Sequence, residues 1–356
     1  MEQKSVLIGM SGGVDSSVAA ALLKERGYHV IGATMRLWTY SDSCNMKHEG
    51  CCAESAVEDA RRVCDKLGID FYVMNFKDMF KDKVVDYFVD EYIHGRTPNP
   101  CIACNKYLKF DALLKKALAM GIDYVATGHY AKIEKGEDGK YILRASEAVK
   151  KDQSYVLYNF TQEQLAHTLM PLGGYNKDWV RQKAEELGLG VAHKPDSQEI
   201  CFVEDDDYAK FITDYSGYKP KEGDILDVNG NVIGKHRGLI YYTIGQRKGI
   251  GAYGRPMFVM KIDAENNTIT LGEKGMEFSN ELTAYDVNFV SGEFPKENML
   301  ITAKVRYQAP PAAAMLCPQK DGTVKLMFPE PQRAVTPGQA VVFYDGDIVL
   351  GGGTVL

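Results

Sequence analysis

The stretch Gly9-Met10-Ser11-Gly12-Gly13-Val14-Asp15-Ser16-Ser17 constrains this chain more than any other segment. It follows the apolar run Val6-Leu7-Ile8 and precedes an amphipathic run, so it occupies a strand-to-helix turn. Glycines there let backbone amides close on an anion, and the positive end of the following helix adds its dipole. A phosphate site follows from that geometry. The stretch lacks the Gly-Lys-Ser/Thr ending of a Walker loop, so no lysine of its own assists cleavage between the β and γ phosphates. A loop of this kind grips free pyrophosphate, which favours cleavage between α and β. A glycine turn capped by Asp15 and Ser16 is the plain alternative.

Downstream, apolar runs alternate with amphipathic ones: a helix over Ser16 to Arg26, a strand over Val30–Leu37, a helix over Glu54–Leu67, and a strand over Phe71–Phe76. A helix from Asn105 or Lys106 to Met120 and a strand over Tyr124–Thr127 continue the rhythm. This βαβ order predicts an α/β fold with a doubly wound parallel sheet over residues 1–160. Residues 161–220 read as a helical extension, with Thr161 to Gln164 as its N-cap and Gly188 as a stop. Beyond Tyr218, turns such as Asn229-Gly230, Asp321-Gly322 and Asp345-Gly346 separate short strands. They predict a small β domain over 221–285 and a C-terminal β-barrel over 286–356.

The hexad Ser11 to Ser16 resembles the signature of PP-loop ATP pyrophosphatases, which adenylate an oxygen and release pyrophosphate. The resemblance implies that Gly9, Met10, Ser11, Gly12, Gly13, Val14, Asp15 and Ser16 bind ATP with Mg2+. By fold analogy Met35, at the end of the second strand, lies beside the adenine, although a core methionine reads the same way. Gly128 ends a later strand and could admit the nucleotide closely.

Phosphate chemistry alone does not choose among amidation, ligation and thiolation, so the cysteines matter. There are 8 in 356 residues, and a chain of this length needs no disulfide staples, which favours reduced thiols. In Thr97-Pro98-Asn99-Pro100-Cys101-Ile102-Ala103-Cys104-Asn105 a proline turn precedes a helix, where the dipole stabilises a thiolate at Cys104. Cys201 stands alone in Ile200-Cys201-Phe202. Cys64 and Cys317 read as core residues. Two metal readings stay open: zinc on Cys101 and Cys104 completed by Cys44, Cys51, Cys52 or His48, and an Fe–S cluster held by Cys101, Cys104 and Cys201.

Six segments in order resemble those of bacterial tRNA 2-thiouridylases, and the likeness runs nearly end to end. They are Ser11 to Ser16, Thr97 to Asn105, Ala126 to Tyr130, Lys151 to Tyr155, Asp196 to Phe202 and Tyr242 to Gly249. The resemblance implies a wobble uridine adenylated at O2, with sulfur arriving as a persulfide on Cys201 and Cys104 as its nucleophilic partner. The two cysteines would then join in a disulfide as sulfur leaves. It further implies tRNA contacts at Asn99, Pro100, Cys101, His129, Lys151, Asp152, Gln153, Arg306, Tyr307 and Gln339, with the anticodon stem-loop as ligand. Some members carry Asp at the position of Cys101, so a base role there does not transfer. Lys235-His236-Arg237 and Gln246-Arg247-Lys248 offer further groups for phosphates. The sulfur donor would be a cysteine desulfurase or a relay protein. A net charge of −6 argues against general polyanion binding while leaving room for a local basic face. No apolar run reaches about 18 residues, and the N-terminus carries no leader pattern, so a cytoplasmic enzyme without membrane contact is expected.

Overall fold

The computed structural model describes residues 3–38, 54–196, 200–203 and 206–356. Cys44, Cys51, Cys52 and His48, the residues of the zinc reading, lie outside them. The first sheet contains β1 (Ser5–Gly9), β2 (His29–Arg36), β3 (Asp70–Asn75) and β4 (Tyr124–Ala126). Strands β5 (Ala131–Lys135) and β6 (Tyr141–Ala145) form a hairpin, and β7 (Thr168–Leu169) returns to the first sheet. Its order is β3-β2-β1-β4-β7, parallel throughout.

The strand β1 shows why the sheet is doubly wound. Leu7 joins one apolar core with Leu108 and Phe88, while its neighbours Val6 and Ile8 join another with Val18, Leu22 and Val180. Successive side chains of a strand point to opposite faces, so both faces of β1 are covered. The helices α1 (Val14–Glu25) and α2 (Glu54–Leu67) supply part of the second core. Because β2 and β4 flank β1 on opposite sides, the sheet reverses at β1/β4, where α/β folds bind ligands beyond their strand ends.

The extension is mostly helical, with Gln162–Ala166, Lys177–Glu186 and Tyr208–Ser216. The expected cap is a full capping box: Thr161 Oγ1 accepts from Gln164 N, and Gln164 Oε1 accepts from Thr161 N. Gly188 takes φ +61° just past the second helix. One feature departs from the helical reading. Residues Thr168–Leu169 pair with Val125 and Ala126, because an apolar pair too short for a helical period can still add an edge to a parallel sheet.

The remaining strands build two β units. β8 (Gly223–Leu226), β9 (Val232–His236), β10 (Met257–Asp263) and β11 (Thr268–Glu273) form a four-stranded sheet around Ile225, Val259, Ile269 and Leu271. β12 (Phe278–Phe289), β13 (Met299–Lys304), β14 (Ala312–Pro318), β15 (Val324–Arg333), β16 (Ala340–Asp345) and β17 (Ile348–Val355) close into a barrel, since β17 pairs back to β12. The glycines of the three predicted turns all take positive φ: Gly230 +85°, Gly322 +83° and Gly346 +58°. β6 pairs with β17, so the N-terminal hairpin continues the barrel's sheet. Asn288 Nδ2 donates to the carbonyls of Tyr158 and Phe160, fixing the barrel against the segment that leaves the hairpin.

Candidate active site

The phosphate loop joins β1 to α1. Gly12 takes φ +69°, and a Cβ on it would stand 2.3 Å from the Ala56 carbonyl oxygen, so only glycine fits. Gly13 is the N-cap of α1, and no side chain caps that helix end. The N-terminus of this 12-residue helix therefore lacks a side-chain cap from its N-cap residue, the kind of end at which anions bind. Serines brace the turn: Ser16 Oγ accepts from Ser11 N at 3.2 Å, and Ser17 Oγ donates to Gly13 O at 2.8 Å. Gly128 approaches the loop itself, since a Cβ there would meet Ser16 N at 2.7 Å. The turn after β4 thus packs on the loop's backbone. Gly9 ends β1, Met10 and Val14 are buried in the second core, and Met35 is half-buried against the first.

The cations absent from the loop come from the helical extension. Lys177 Nζ donates to both oxygens of Asp15, at 2.7 and 2.8 Å, and contacts Asp196 at 2.7 Å. Lys194 Nζ reaches the Gly12 carbonyl at 3.2 Å and Asp59 at 3.0 Å. The Tyr130 hydroxyl donates to Asp15 at 2.7 Å; burial, then the Asp15 charge, keeps that phenol protonated. Asp196 collects Lys177, Lys151 at 2.6 Å and Arg181 at 3.3 Å. Burial would raise its pKa, but the bonds from Lys151 and Lys177 prevail and hold its carboxyl below the usual range. Sequence reasoning missed Lys177, Lys194, Tyr130 and Asp59. A lysine more than a hundred residues from the loop carries no local sign of where it points.

The cysteine helix begins earlier than expected. Asn99 is its N-cap, accepting from the amides of Cys101 and Ile102 at 3.1 and 3.4 Å, and Pro100 fills the first helical position. The path runs Pro100–Ala103, then a π-helical stretch Cys104–Ala112, then Leu113–Ala119. Extended π-helical turns are rare and gather at functional sites. Cys104 is buried at the junction, and Asn105 Nδ2 donates to the Val156 carbonyl at 3.0 Å. Cys101 exposes surface yet sits in a protein-dense hollow: desolvation pushes its thiol pKa up, with Lys109 opposing.

Cys201 is exposed, while Phe202 beside it is locked among Phe80, Phe88 and Phe211 at ring distances of 5.6, 5.3 and 5.2 Å. Cys104, Phe202 and Val203 share one apolar core. Cys101 and Cys201 are free thiols. Among the described residues no three of His, Cys, Asp and Glu converge as a metal site. Cys64 is buried with its thiol raised to about 12, first by burial and then by Asp65, as suits a core residue. Cys317 is half-buried on β14.

The residues expected to touch RNA gather along the seam between the parallel-sheet domain and the barrel, but many are occupied within the protein. His129 is buried, its Nδ1 2.7 Å from Thr127 Oγ1; burial, then Lys109, drives its pKa well below 6.5. The Asp152 carboxylate accepts from Ser146 N, Ser154 N and Ser154 Oγ. Gln153 exchanges bonds with the Tyr130 backbone. Gln339 Nε2 donates to the Thr97 and Pro98 carbonyls at 2.8 and 3.4 Å, pinning the turn before the cysteine helix. Tyr307 is exposed, its hydroxyl donating to the Asp152 carbonyl at 3.0 Å, and Arg306 is half-buried. His236, proposed for phosphates, is buried, its ring nitrogens paired with the Asn267 carbonyl and the Gly238 amide. Lys235 is tied to Asp224.

A parallel sheet with an open, lysine-flanked phosphate loop at its switch point, joined to a thiol-bearing helix and two β units, defines a multidomain nucleotide-loop protein of the HUP type. Residues 4–205 match the family profile described as a tRNA methyl transferase HUP domain. Residues 209–273 match the corresponding PRC-barrel domain, and 279–355 an aminomethyltransferase beta-barrel domain. Over 358 residues, all of both chains, the sequence is 59% identical to the tRNA-specific 2-thiouridylase MnmA of Acetivibrio thermocellus. It is 58% identical to that of Clostridioides difficile, covering 99% of this chain and 98% of the other. It is 56% identical to that of Clostridium botulinum strain Alaska E43, covering 100% and 98%. The chain belongs to the tRNA-specific 2-thiouridylase family.

Proposed function

We propose that this protein thiolates the wobble uridine of tRNA at position 2, using ATP and a persulfide carried on Cys201. The observation that carries the reading is the pairing of an uncapped helix end, flanked by Lys177 and Lys194, with two thiols bordering one apolar core. Asp196 supports the link between them. It contacts Lys177, and five residues of chain reach at most roughly 18 Å, which keeps Cys201 near the nucleotide loop.

The loop amides and Lys177 hold the β and γ phosphates of ATP, leaving the α phosphate to the uracil O2. Asp15 is the loop's carboxylate and would hold magnesium together with the substrate phosphates once Lys177, which pairs with both its oxygens, turns to those phosphates. Uracil O2 attacks the α phosphorus and pyrophosphate leaves. The terminal persulfide sulfur attacks C2, and AMP departs with O2. The Cys104 thiolate then attacks the Cys201 Sγ, breaking the S–S bond. This leaves 2-thiouridine and a Cys104–Cys201 disulfide, which an external thiol must reduce. The flipped base would rest against Asn99, Pro100 and Cys101, with His129 neutral beside it.

Mass spectrometry of tRNA nucleosides after incubation with ATP and a persulfide source tests the reading. Wild type should form 2-thiouridine, whereas Cys104→Ala and Cys201→Ala should not; only unmodified uridine from wild type ends the proposal. The family profile's name points to methyl transfer, which would leave a mass gain of a methyl group, independent of ATP and of both cysteines. A PP-loop amidating enzyme using ammonia would survive Cys201→Ser.

A further inference from the structure

Strand β13 alternates strictly. Ile301 and Ala303 enter the barrel core, as does Val305 just beyond the strand, so Lys304 turns outward to the seam. Its Nζ lies 5.9 Å from the ring centre of Tyr155 and 5.8 Å from that of Tyr307. These rings meet edge to face at 5.8 Å. Both hydroxyls are committed to carbonyls, Tyr155 to Ala340 at 2.7 Å and Tyr307 to Asp152 at 3.0 Å. The rings therefore offer the ammonium only their π faces.

Among the described residues Lys304 forms no salt bridge. Half-burial lowers its pKa, with the Asp152 charge opposing. A cation in such a place is incompletely compensated, because ring faces return about 0.5–2 kcal/mol against the cost of lost hydration. An anion would complete its shell. Tyr307 is bonded to the Asp152 carbonyl, and the helix Pro100–Ala103 that carries Cys101 packs against Ser154–Leu157, so the ammonium, the thiol and the segment at 152 share one wall. The nucleotide loop already has Lys177 and Lys194, which leaves Lys304 for a different phosphate.

We propose that Lys304 is a phosphodiester-binding residue: its ammonium, presented by Tyr155 and Tyr307, takes a backbone phosphate of the RNA substrate and seats that RNA over Cys101. This rests on the RNA reading of the site. It also shifts the expected role of Tyr307, whose hydroxyl is spent internally and whose ring steers the lysine.

The test uses the full-length protein and a synthetic anticodon stem-loop RNA bearing uridine at the wobble position. Affinity is measured from about 50 to 200 mM KCl for wild type, Lys304→Gln, Lys304→Arg and the exposed control Lys320→Gln. Lys304→Gln should weaken RNA binding about tenfold and reduce the slope of log affinity against log salt by about 1. Lys304→Arg should retain most of the affinity, and Lys320→Gln all of it. Calorimetry with ATP should give the same affinity for every variant. Unchanged RNA affinity and slope in Lys304→Gln, with wild type binding normally, overturns this proposal alone. A loss confined to ATP binding overturns it too, by assigning the phosphate to the nucleotide. Failure of wild type to bind the RNA removes the RNA reading and this residue's role together.

Discussion

The phosphate loop and the barrel seam achieve function in opposite ways. The loop is local: a few consecutive residues, one φ of +69° and one uncapped helix end make the turn proposed to bind phosphate. The seam is assembled across the chain. Gln339 holds Thr97, Tyr307 holds Asp152, and Lys304 rests on Tyr155. The difference teaches that a polar side chain near a site need not face its ligand. Asn99, Asp152, Gln153 and Gln339 spend hydrogen bonds within the protein shaping the surface, whereas Lys304 and the exposed edge of Cys101 are the groups proposed to meet the RNA.

The sharpest way to break this contrast is Gly12→Val. A β-branched residue at positive φ, with its Cβ against the Ala56 carbonyl, should cost about 3 kcal/mol and abolish ATP binding; calorimetry and a melting curve report both. Normal ATP affinity would mean that the loop is not locally determined. Lys177→Met comes next, removing a charged clamp worth roughly 1.5–3 kcal/mol and reducing ATP affinity ten- to a hundredfold. RNA affinity should hold. An equal fall in RNA affinity would show that Asp196, which also binds Lys151, couples the two regions.

Gln339→Ala deletes the tie to Thr97 and Pro98, at about 1 kcal/mol. Thiolation turnover should drop several-fold with ATP affinity intact, as single-turnover kinetics would reveal. The smallest effect is in pH. His129 is neutral in the folded state because its pKa is depressed, whereas the unfolded chain takes up a proton near 6.5. Its contribution to stability is therefore complete above pH about 6.5 and is lost as pH falls below it. Urea midpoints of wild type should decline over that range more steeply than those of His129→Gln. Parallel curves would place the titration elsewhere.

Element by element, the parallel sheet was legible because its cues are periodic: β1, α2 and β4 match the apolar runs within a residue or two. The cysteine helix was read five or six residues short. Pro100 looked like the end of a turn, but behind the Asn99 cap it is the first helical residue. Neither its π-helical continuation nor the addition of Thr168–Leu169 to the sheet could be read locally, since both depend on partners supplied by packing. Lys151 was expected to touch tRNA and His236 to offer a group for phosphates, yet the fold supplies Asp196 to one and backbone groups to the other.

What the amino-acid sequence determined by itself was the glycine turn between the first strand and helix, the alternation of strand and helix, and the presence of thiols beside a helix start. Each depends on backbone conformation over a few neighbouring residues, where steric limits and the helix dipole act directly. Only the tertiary structure decided which cations serve the loop and which polar groups at the seam remain available. Ion pairs and hydrogen bonds are satisfied by whichever partner lies within about 3 Å, and over separations of a hundred residues or more that is set by packing alone.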